Sequence, residues 1–387
     1  MRVLRVIPSL NPRVGGPAVA GINSVISGAR AGVQSEVAVV VRPGETAASW
    51  WRQLERRCAL EGLSLVSFPV SVSRVASRLY DPSTALVRWL IRQPRSRFDI
   101  IHVESPWTST CAIASLYAAG RSIPLVISPN AVLMPPDLAR GGLLRRTAKR
   151  LGSRAYGRAA SAVVCSSPLE ARDATRSGVP THKIEWIYHP VVDDRIRYEP
   201  CAPPAATGLR VGYLGRLHPT KNVQFLIEAV GKMDRTVTLR VAGRGDAAFE
   251  AELVKSAERQ LPGRTEFIGW VNQEEKAVFL SGIDVLAMPS EYECFGVSAV
   301  EALAAGVPVI VSDRVGVADI VRSHRAGMVV PPTIAGIADG LRRYRDDPSA
   351  IAADRSQARA AAMAETGFAA HGARLLDLYS TVLDRRS

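Results

Sequence analysis

A chain of 387 residues, 47% hydrophobic and 22% charged, has the composition of a globular protein and more length than one ordinary core uses, so two domains are expected. That composition excludes disordered and fibrous classes, and no apolar run reaches the roughly 18 residues of a membrane span. The net charge of +13 is uneven: residues 1–194 carry 25 basic and 13 acidic side chains, whereas residues 195–387 carry 24 and 23. Such an excess in one half points to an anionic partner, whether a membrane surface, a phosphorylated substrate or a nucleic acid, unless it is simply solvated.

The amino terminus, MRVLRVIPSLNPRVGG, has a short apolar stretch interrupted by Arg5 and no small-residue cleavage site, so no signal peptide is read and the cytoplasm is the expected location. Within it RVLRVIPS reads as a strand, and GPAVAGINSVISGARAG as a helix. SEVAVVV, FDIIHVE, IPLVISP and ASAVVCSS follow as strands. Continuous apolar strands alternating with helices imply a parallel sheet covered on both faces, which is a doubly wound α/β domain over residues 1–194. The pattern breaks at VVDDRIRYEPCAPPAATG, whose residues 195–208 read as a linker.

Beyond the linker the alternation restarts. LRVGYLGR, TVTLRVAG, TEFIGW, DVLAMPS and GVPVIVSD read as strands, with NVQFLIEAVGKM and AFEAELVKSAERQL as helices between them. A second α/β domain is therefore expected over residues 209–368. Ligands of such sheets bind beyond the carboxyl ends of the strands, so two of them facing one another would form a cleft. The closing segment, HGARLLDLYSTVLDRRS, has Leu375, Leu376, Tyr379 and Leu383 at helical spacing and needs a surface to pack on.

Cys58, Cys111, Cys165, Cys201 and Cys294 are odd in number, scattered and never in a C-x-x-C pair, which argues against a disulfide framework or a structural zinc site. In YLGRLHPTKN an apolar strand ends at Gly215 and is followed by Arg216 and Lys221. Two cations beside a glycine turn at a strand exit suit a diphosphate, because Arg grips oxygens bidentately and Lys adds a point charge. Gly15 and Gly16 open a helix after the first strand, where backbone N–H groups can approach a phosphate, although a plain turn has the same look. A nicotinamide-dependent dehydrogenase is excluded there: no G-x-G-x-x-G follows the first strand, and the second is followed by Arg42 rather than an acidic residue.

The run SEYECFGVSAVEALAAGVPVIVSD places Glu293 and Glu301 among small and apolar residues. With a helix starting near Gly296 or Val297, Glu293 lies in the loop and Glu301 about one turn inside. They stand apart along the helix axis and are not an acid/base pair; they suit hydroxyls at opposite ends of one long ligand, with the helix amino terminus between them. The apolar neighbours of Glu301 suggest a buried carboxylate that demands partners.

These segments, GRLHPTKN and GWVNQEEKAVFLSGIDVLAMPSEYECFGVSAVEALAAGVPVIVSD, closely resemble the carboxyl-terminal domain of the family-4 retaining glycosyltransferases, with E-x7-E preceded by G-R-x(4)-K. The first half is similar in GGPAVAGIN, FDIIHVESPW, IPLVISPN and SSPLEARDATRSGVPTHKIEWIYHPVVD. The resemblance implies the two-Rossmann-domain fold called GT-B, with the acceptor held mainly by the first domain, the donor mainly by the second, and residues 369–387 crossing back as a helix to the first. It implies that Glu293 accepts hydroxyls of the donor sugar, Glu301 those of the ribose, and that Arg216 and Lys221 neutralise the diphosphate. Gly15, Gly16, Asn130, Gly215, Cys294, Phe295, Gly296 and Val297 would line the donor. The nucleoside-diphosphate sugar is a substrate, and neither a cofactor nor a metal is implied. Two departures stand out. Asn130 and Ala131 occupy the place of the usual His-Gly, and the frequent H-x-H of the fourth strand is His102 and Glu104.

The implied activity is transfer of a hexose-type sugar to an acceptor hydroxyl, in cell-surface polysaccharide, lipopolysaccharide or glycolipid synthesis. The alternatives are transfer to a small natural product, or a non-catalytic basic module on the same scaffold. Residues 140–158, RGGLLRRTAKRLGSRAYGR, hold seven basic residues and no acidic one. Leu143, Leu144, Thr147, Ala148, Leu151 and Ala155 form one helical face, which can lie on an anionic membrane as a peripheral anchor or else pack on its own domain. Nucleic-acid binding is not expected, because no aromatic residues interleave the charge.

Overall fold

The computed structural model describes residues 1–12, 15–71, 82–139, 141–193, 195 and 208–385, except the side chains of residues 144 and 145. The expected linker, apart from its two end residues, lies outside the described residues, as do Arg140 and Cys201. In the first half, β1 (Arg2–Ile7), α1 (Gly16–Arg30), β2 (Gln34–Val41), α2 (Ser49–Leu60), β3 (Ser64–Pro69), α3 (Thr84–Arg92) and β4 (Ile100–Glu104) alternate. They continue as α4 (Ser109–Gly120), β5 (Leu125–Ser128), the short α5 (Pro135–Leu138), α6 (Leu143–Ala159), β6 (Ala162–Cys165), α7 (Pro168–Arg176) and β7 (Ile184–Trp186). The second half runs β8 (Leu209–Leu214), α8 (Val223–Gly231), β9 (Val237–Ala242), α9 (Ala247–Gln260), β10 (Thr265–Gly269), α10 (Gln273–Ser281) and β11 (Val285–Met288). It ends in α11 (Val297–Ala304), β12 (Val309–Ser312), α12 (Ala318–His324), β13 (Gly327–Val330), α13 (Ile334–Asp346), α14 (Pro348–Thr366) and α15 (Phe368–Asp384).

Two all-parallel sheets result, in the orders β3-β2-β1-β4-β5-β6-β7 and β10-β9-β8-β11-β12-β13. Both are doubly wound, Rossmann-like sheets, and each reverses its strand order beside its first strand, between β1 and β4 and between β8 and β11. The expected strands all form. The apolar-run criterion missed β3, an edge strand in which only Phe68 is buried, and the short β7 and β13. Side-chain caps at Ser83, Thr108, Ser167, Asp246, Asn272, Thr333 and Asp347 start the helices after them, satisfying amide donors that the helix itself leaves open.

Chain contacts divide the molecule into Met1–Pro190 with Phe368–Ser387, and Val191–Gly367. The last helix, α15, thus belongs to the first unit. Leu375, Leu378, Tyr379 and Val382 pack with Val3, Ile100, Val126 and Ala162 of the sheet. Against α1 the contact is close: a Cβ on Gly372 would stand 2.3 Å from the Ser27 carbonyl oxygen. Among the described residues no helix is long and apolar enough to cross a membrane.

Polar groups are buried beneath α15 as well. His371 Nδ1 meets the Ser27 hydroxyl at 2.6 Å, and the Tyr379 hydroxyl meets His102 Nδ1 at 2.6 Å. The other ring nitrogen of His102 meets the Ser128 hydroxyl at 2.8 Å, so this histidine is a structural member of the core. Burial pushes His189 down to about 4 and holds His102 and His371 well below the usual 6.5, with Arg5 opposing protonation of the latter two. In the unfolded chain these rings titrate near 6.5, so below that pH the unfolded state binds more protons than the folded one. Their stabilisation is complete above pH 6.5 and is lost as the pH falls toward 4, by up to about 1.4 kcal/mol per pH unit per ring. Calorimetric melts from pH 7.5 to 5 are expected to show a steadily falling transition for the first unit; a flat profile would contradict this account.

Candidate functional site

The turn after β8 is built around two glycines that only a bare backbone permits. A Cβ on Gly243, after β9, would lie 1.8 Å from the Gly215 carbonyl oxygen, so the two strand exits touch backbone to backbone. The Gly215 N–H donates to the Ala242 carbonyl at 3.0 Å, and that of Leu217 to Arg244 at 2.8 Å. Arg216 projects outward between these bonds, exposed and without an ion pair among the described residues. Its carbonyl accepts the buried Tyr213 hydroxyl at 2.9 Å. Burial raises the Tyr213 phenol far above its ordinary value, the Glu293 charge adds to this and Arg216 opposes it.

From Leu217 the chain makes a 3-10 turn, Pro219–Lys221, capped by His218, and Asn222 then takes a left-handed conformation with φ 53° that starts α8. Three contacts pin this turn to the loop after β11. The Asn222 amide donates to the Pro289 carbonyl at 3.0 Å, the Glu291 N–H donates to the Thr220 carbonyl at 2.8 Å, and Lys221 pairs with Glu293. The pair therefore crosses the point where the strand order reverses. Glu293 is fixed from its other side too, since its N–H donates to the Arg314 carbonyl and its carbonyl accepts from Gly316.

Gly296 ends that loop with φ 106° as the residue before α11, where a Cβ would stand 2.8 Å from Val315 Cγ1. The helix starts at Val297 as expected, with Phe295 buried beneath it and Cys294 half-buried. Cys58, Cys111, Cys165 and Cys294 are free thiols. Glu301 departs from expectation. Ala299, Val300, Ala302, Leu303 and Ala304 are buried, but the Glu301 side chain keeps 18% of its surface because it faces α10, where Lys276 donates to it at 2.6 Å. Lys276 was missed because nothing local to it signals that its helix lies beside α11.

The predicted residues thus fall into two sets. Arg216, Lys221, Glu293, Gly215, Cys294, Phe295, Gly296, Val297 and Glu301 lie in the second unit, beyond β8 and β11 or on α11. Gly15, Gly16 and Asn130 lie in the first: Gly15, with φ 98°, precedes α1, Gly16 begins it, and Asn130 follows β5.

Substituting Ala for Gly296 is expected to impose strain of about 1–3 kcal/mol at the loop carrying Glu293, lowering the melting temperature of the second unit. Thermal melts of Gly296→Ala against the parent check it, and an unchanged midpoint would refute the strain.

Residues 21–189 match the model of the glycosyl transferase 4-like domain, and residues 203–363 match that of the glycosyl transferases group 1. A 154-residue stretch is 35% identical to a glycogen synthase of Mycobacterium tuberculosis, but covers 38% of this chain and only 36% of that protein. The D-inositol 3-phosphate glycosyltransferase of Nocardia farcinica is 28% identical over 326 residues, covering 78% of this chain and 71% of that one. In fold, the chain is similar to Anabaena HepE, solved in complex with UDP and glucose, with a TM-score of 0.76 at 18% identity over 98% of this chain and 100% of that one. With two such matches in succession on two doubly wound sheets, this chain belongs to the group 1 glycosyltransferases, of family-4 type and GT-B fold.

Proposed function

We propose that the protein transfers a hexose-type sugar, with retention of configuration, from a nucleoside diphosphate to an acceptor hydroxyl in polysaccharide, lipopolysaccharide or glycolipid synthesis. The observation that carries this reading is the Lys221–Glu293 pair across the strand-order reversal of the second unit, beside an exposed Arg216. When the bond between the sugar carbon and the diphosphate breaks, its electron pair goes to the phosphate oxygen. Arg216 and Lys221 stabilise that charge, the acceptor oxygen bonds to the same sugar carbon, and the leaving phosphate oxygen takes the proton that the acceptor hydroxyl gives up. Glu293 and Glu301 hold sugar and ribose hydroxyls, with their lysines keeping both carboxylates in place before the ligand arrives. In this reading the first unit holds the acceptor. UDP is the first nucleotide to try, given the UDP complexes of the HepE fold relative.

Lys221→Ala and Glu293→Ala are expected to lose most transfer activity and to remain folded, because solvent still reaches both side chains, at 15% and 25% exposure, and screens the pair. Wild-type turnover in either would remove the assignment. A thermal-shift series with UDP, GDP, ADP and dTDP, alone and as sugar conjugates, is expected to single out one base; stabilisation by none would favour the non-catalytic module.

A second reading concerns location, and α6 favours it. This helix packs on its unit through Gly152, Ser153, Tyr156 and Gly157: a Cβ on Gly152 would stand 2.6 Å from the Trp107 ring, and one on Gly157 3.0 Å from Val179. Gly152, Ser153 and Gly157 with Tyr156 make the inner face, so the aliphatic face turns outward. Leu143 is 81% and Leu151 60% exposed, with Arg146, Arg150, Arg154 and Arg158 around them. Lys149 instead is held by Asp137 at 2.9 Å. An outward face of leucine and arginine suits an anionic bilayer, with about 1 kcal/mol per charge near the surface. Co-sedimentation with vesicles rich in phosphatidylserine is expected, and to fail when Arg146, Arg150 and Arg154 become Gln; binding unchanged by those substitutions would exclude α6 as the anchor.

A further inference from the structure

The first sheet ends at β7, and beside this strand the last helix leaves a groove of about 170 Å³. All the residues lining it belong to the first unit. On α15 and just past its end, Arg374, Asp377 and Arg385 line the groove. Their spacing of three or four residues, or twice that, puts them on one helical face. Leu378 and Val382, which pack on the sheet, form its floor together with the buried Ile187. The volume far exceeds the roughly 10–15 Å³ that one water needs and falls short of the roughly 300 Å³ of a pocket that encloses a drug-sized molecule. It suits one ring of a longer chain lying across it.

Trp186, the last residue of β7, lines the opposite side and keeps 43% of its surface exposed. Its indole is held in place: the Arg374 guanidinium lies over it at 5.9 Å, and Tyr188 meets it edge-on with ring centres 5.0 Å apart. Glu185 stands beside it, and among the described residues the carboxylates of Glu185 and Asp377 have neither a hydrogen bond nor an ion pair. Of the lysine and arginines lining the groove, Lys183 is engaged elsewhere, donating to the Arg158 and Ala160 carbonyls at 2.7 Å each. Arg374 and Arg385 are then balanced by Glu185 and Asp377. A phosphorylated ligand would be repelled by those two carboxylates. A peptide adding to the sheet would find an edge of only three residues. A sugar ring fits each feature: its hydroxyls donate to carboxylates and accept from a guanidinium, and its C–H face suits the negative face of an indole.

We propose that the groove between β7 and α15 is a carbohydrate-binding subsite of the first unit, in which one ring of a neutral oligosaccharide stacks on Trp186. Asp377 and Glu185 accept protons of its hydroxyls, and Arg374 donates to its oxygens. The ring held here does not react. Its consequence for the transfer proposed above is avidity, because a glycan tethered to the enzyme stays at high effective concentration. The binding itself does not depend on that reading.

The test is binding of the full chain to an array of neutral glucan, mannan, galactan and xylan oligosaccharides, with sialylated and phosphorylated glycans as charged controls. Calorimetric titration of the best-bound oligosaccharide then compares the wild type with Trp186→Ala and Asp377→Ala. The wild type is expected to bind at least one neutral oligosaccharide. Trp186→Ala is expected to weaken it about 10-fold or more, the loss of one aromatic contact, and Asp377→Ala about 5- to 30-fold, the loss of one hydrogen bond. Asp377 is exposed on α15, so its variant folds and decides the question should Trp186→Ala not fold. Binding to no neutral glycan, affinity unchanged in both variants, or binding confined to the charged glycans would each overturn the proposal. Titration of the same samples with UDP, GDP, ADP and dTDP keeps the two readings apart. A wild type that binds a nucleotide but no neutral glycan overturns the groove alone; one that binds the glycan through Trp186 but no nucleotide upholds the groove and removes the transfer reading.

Discussion

In each sheet a cation on or beyond the first strand is neutralised by a carboxylate on the fourth strand or beside one of its ends. In the first unit Arg5 of β1 meets Glu104 of β4, both buried; in the second, Arg210 of β8 meets Asp284 just before β11, and Lys221 beyond β8 meets Glu293 beyond β11. The first and fourth strands are neighbours across the point where the strand order reverses, the place at which doubly wound sheets bind ligands. A buried charge is tolerable only when paired, and breaking such a pair costs about 3–5 kcal/mol, so Arg5 and Glu104 commit much of the first unit to one arrangement.

Dependence on that pair spreads outward. Tyr379 reaches Arg5 from α15 and also holds His102, so the last helix is tied to the sheet by polar bonds as well as by Leu375 and Val382. Asn130 takes its orientation from the same carboxylate. The second unit follows another rule: its site charges are partly exposed, and the lysine partners of Glu293 and Glu301 can exchange one anionic partner for another. A rigid buried pair orients, whereas a pair open to solvent can be rearranged by a ligand.

Much of the fold was legible. Continuous apolar strands such as VAVVV and LAM are buried on both faces, so they stand out from their flanking helices without reference to anything distant. The edge strands β3 and β7 did not stand out, because an edge is only half covered and its residues need not be apolar. At the site, the start of α11 and the glycines at its entrance were legible, since a positive φ and a close backbone approach both demand glycine locally. Lys276 was not. Its significance depends on which helix lies alongside it, and its position does not differ locally from that of an ordinary charged helix residue.

Helix α6 shows the division plainly. Its periodicity yields two faces, one aliphatic and basic, the other made of Gly152, Ser153, Tyr156 and Gly157, and burial by hydrophobicity alone would turn the leucines inward. Contact with the bulky Trp107 ring selects that second face instead, because Gly152 lets the helix approach the ring and Tyr156 packs edge-on against it. The sequence by itself determined the alternation of strand and helix, the glycine turns and the spacing of Arg216, Lys221, Glu293 and Glu301, all set by the local chemistry of a few adjacent residues. The tertiary structure decided which lysine faces which carboxylate, which way the Asn130 amide points and which side of α6 meets solvent, because each depends on a partner far away in the chain.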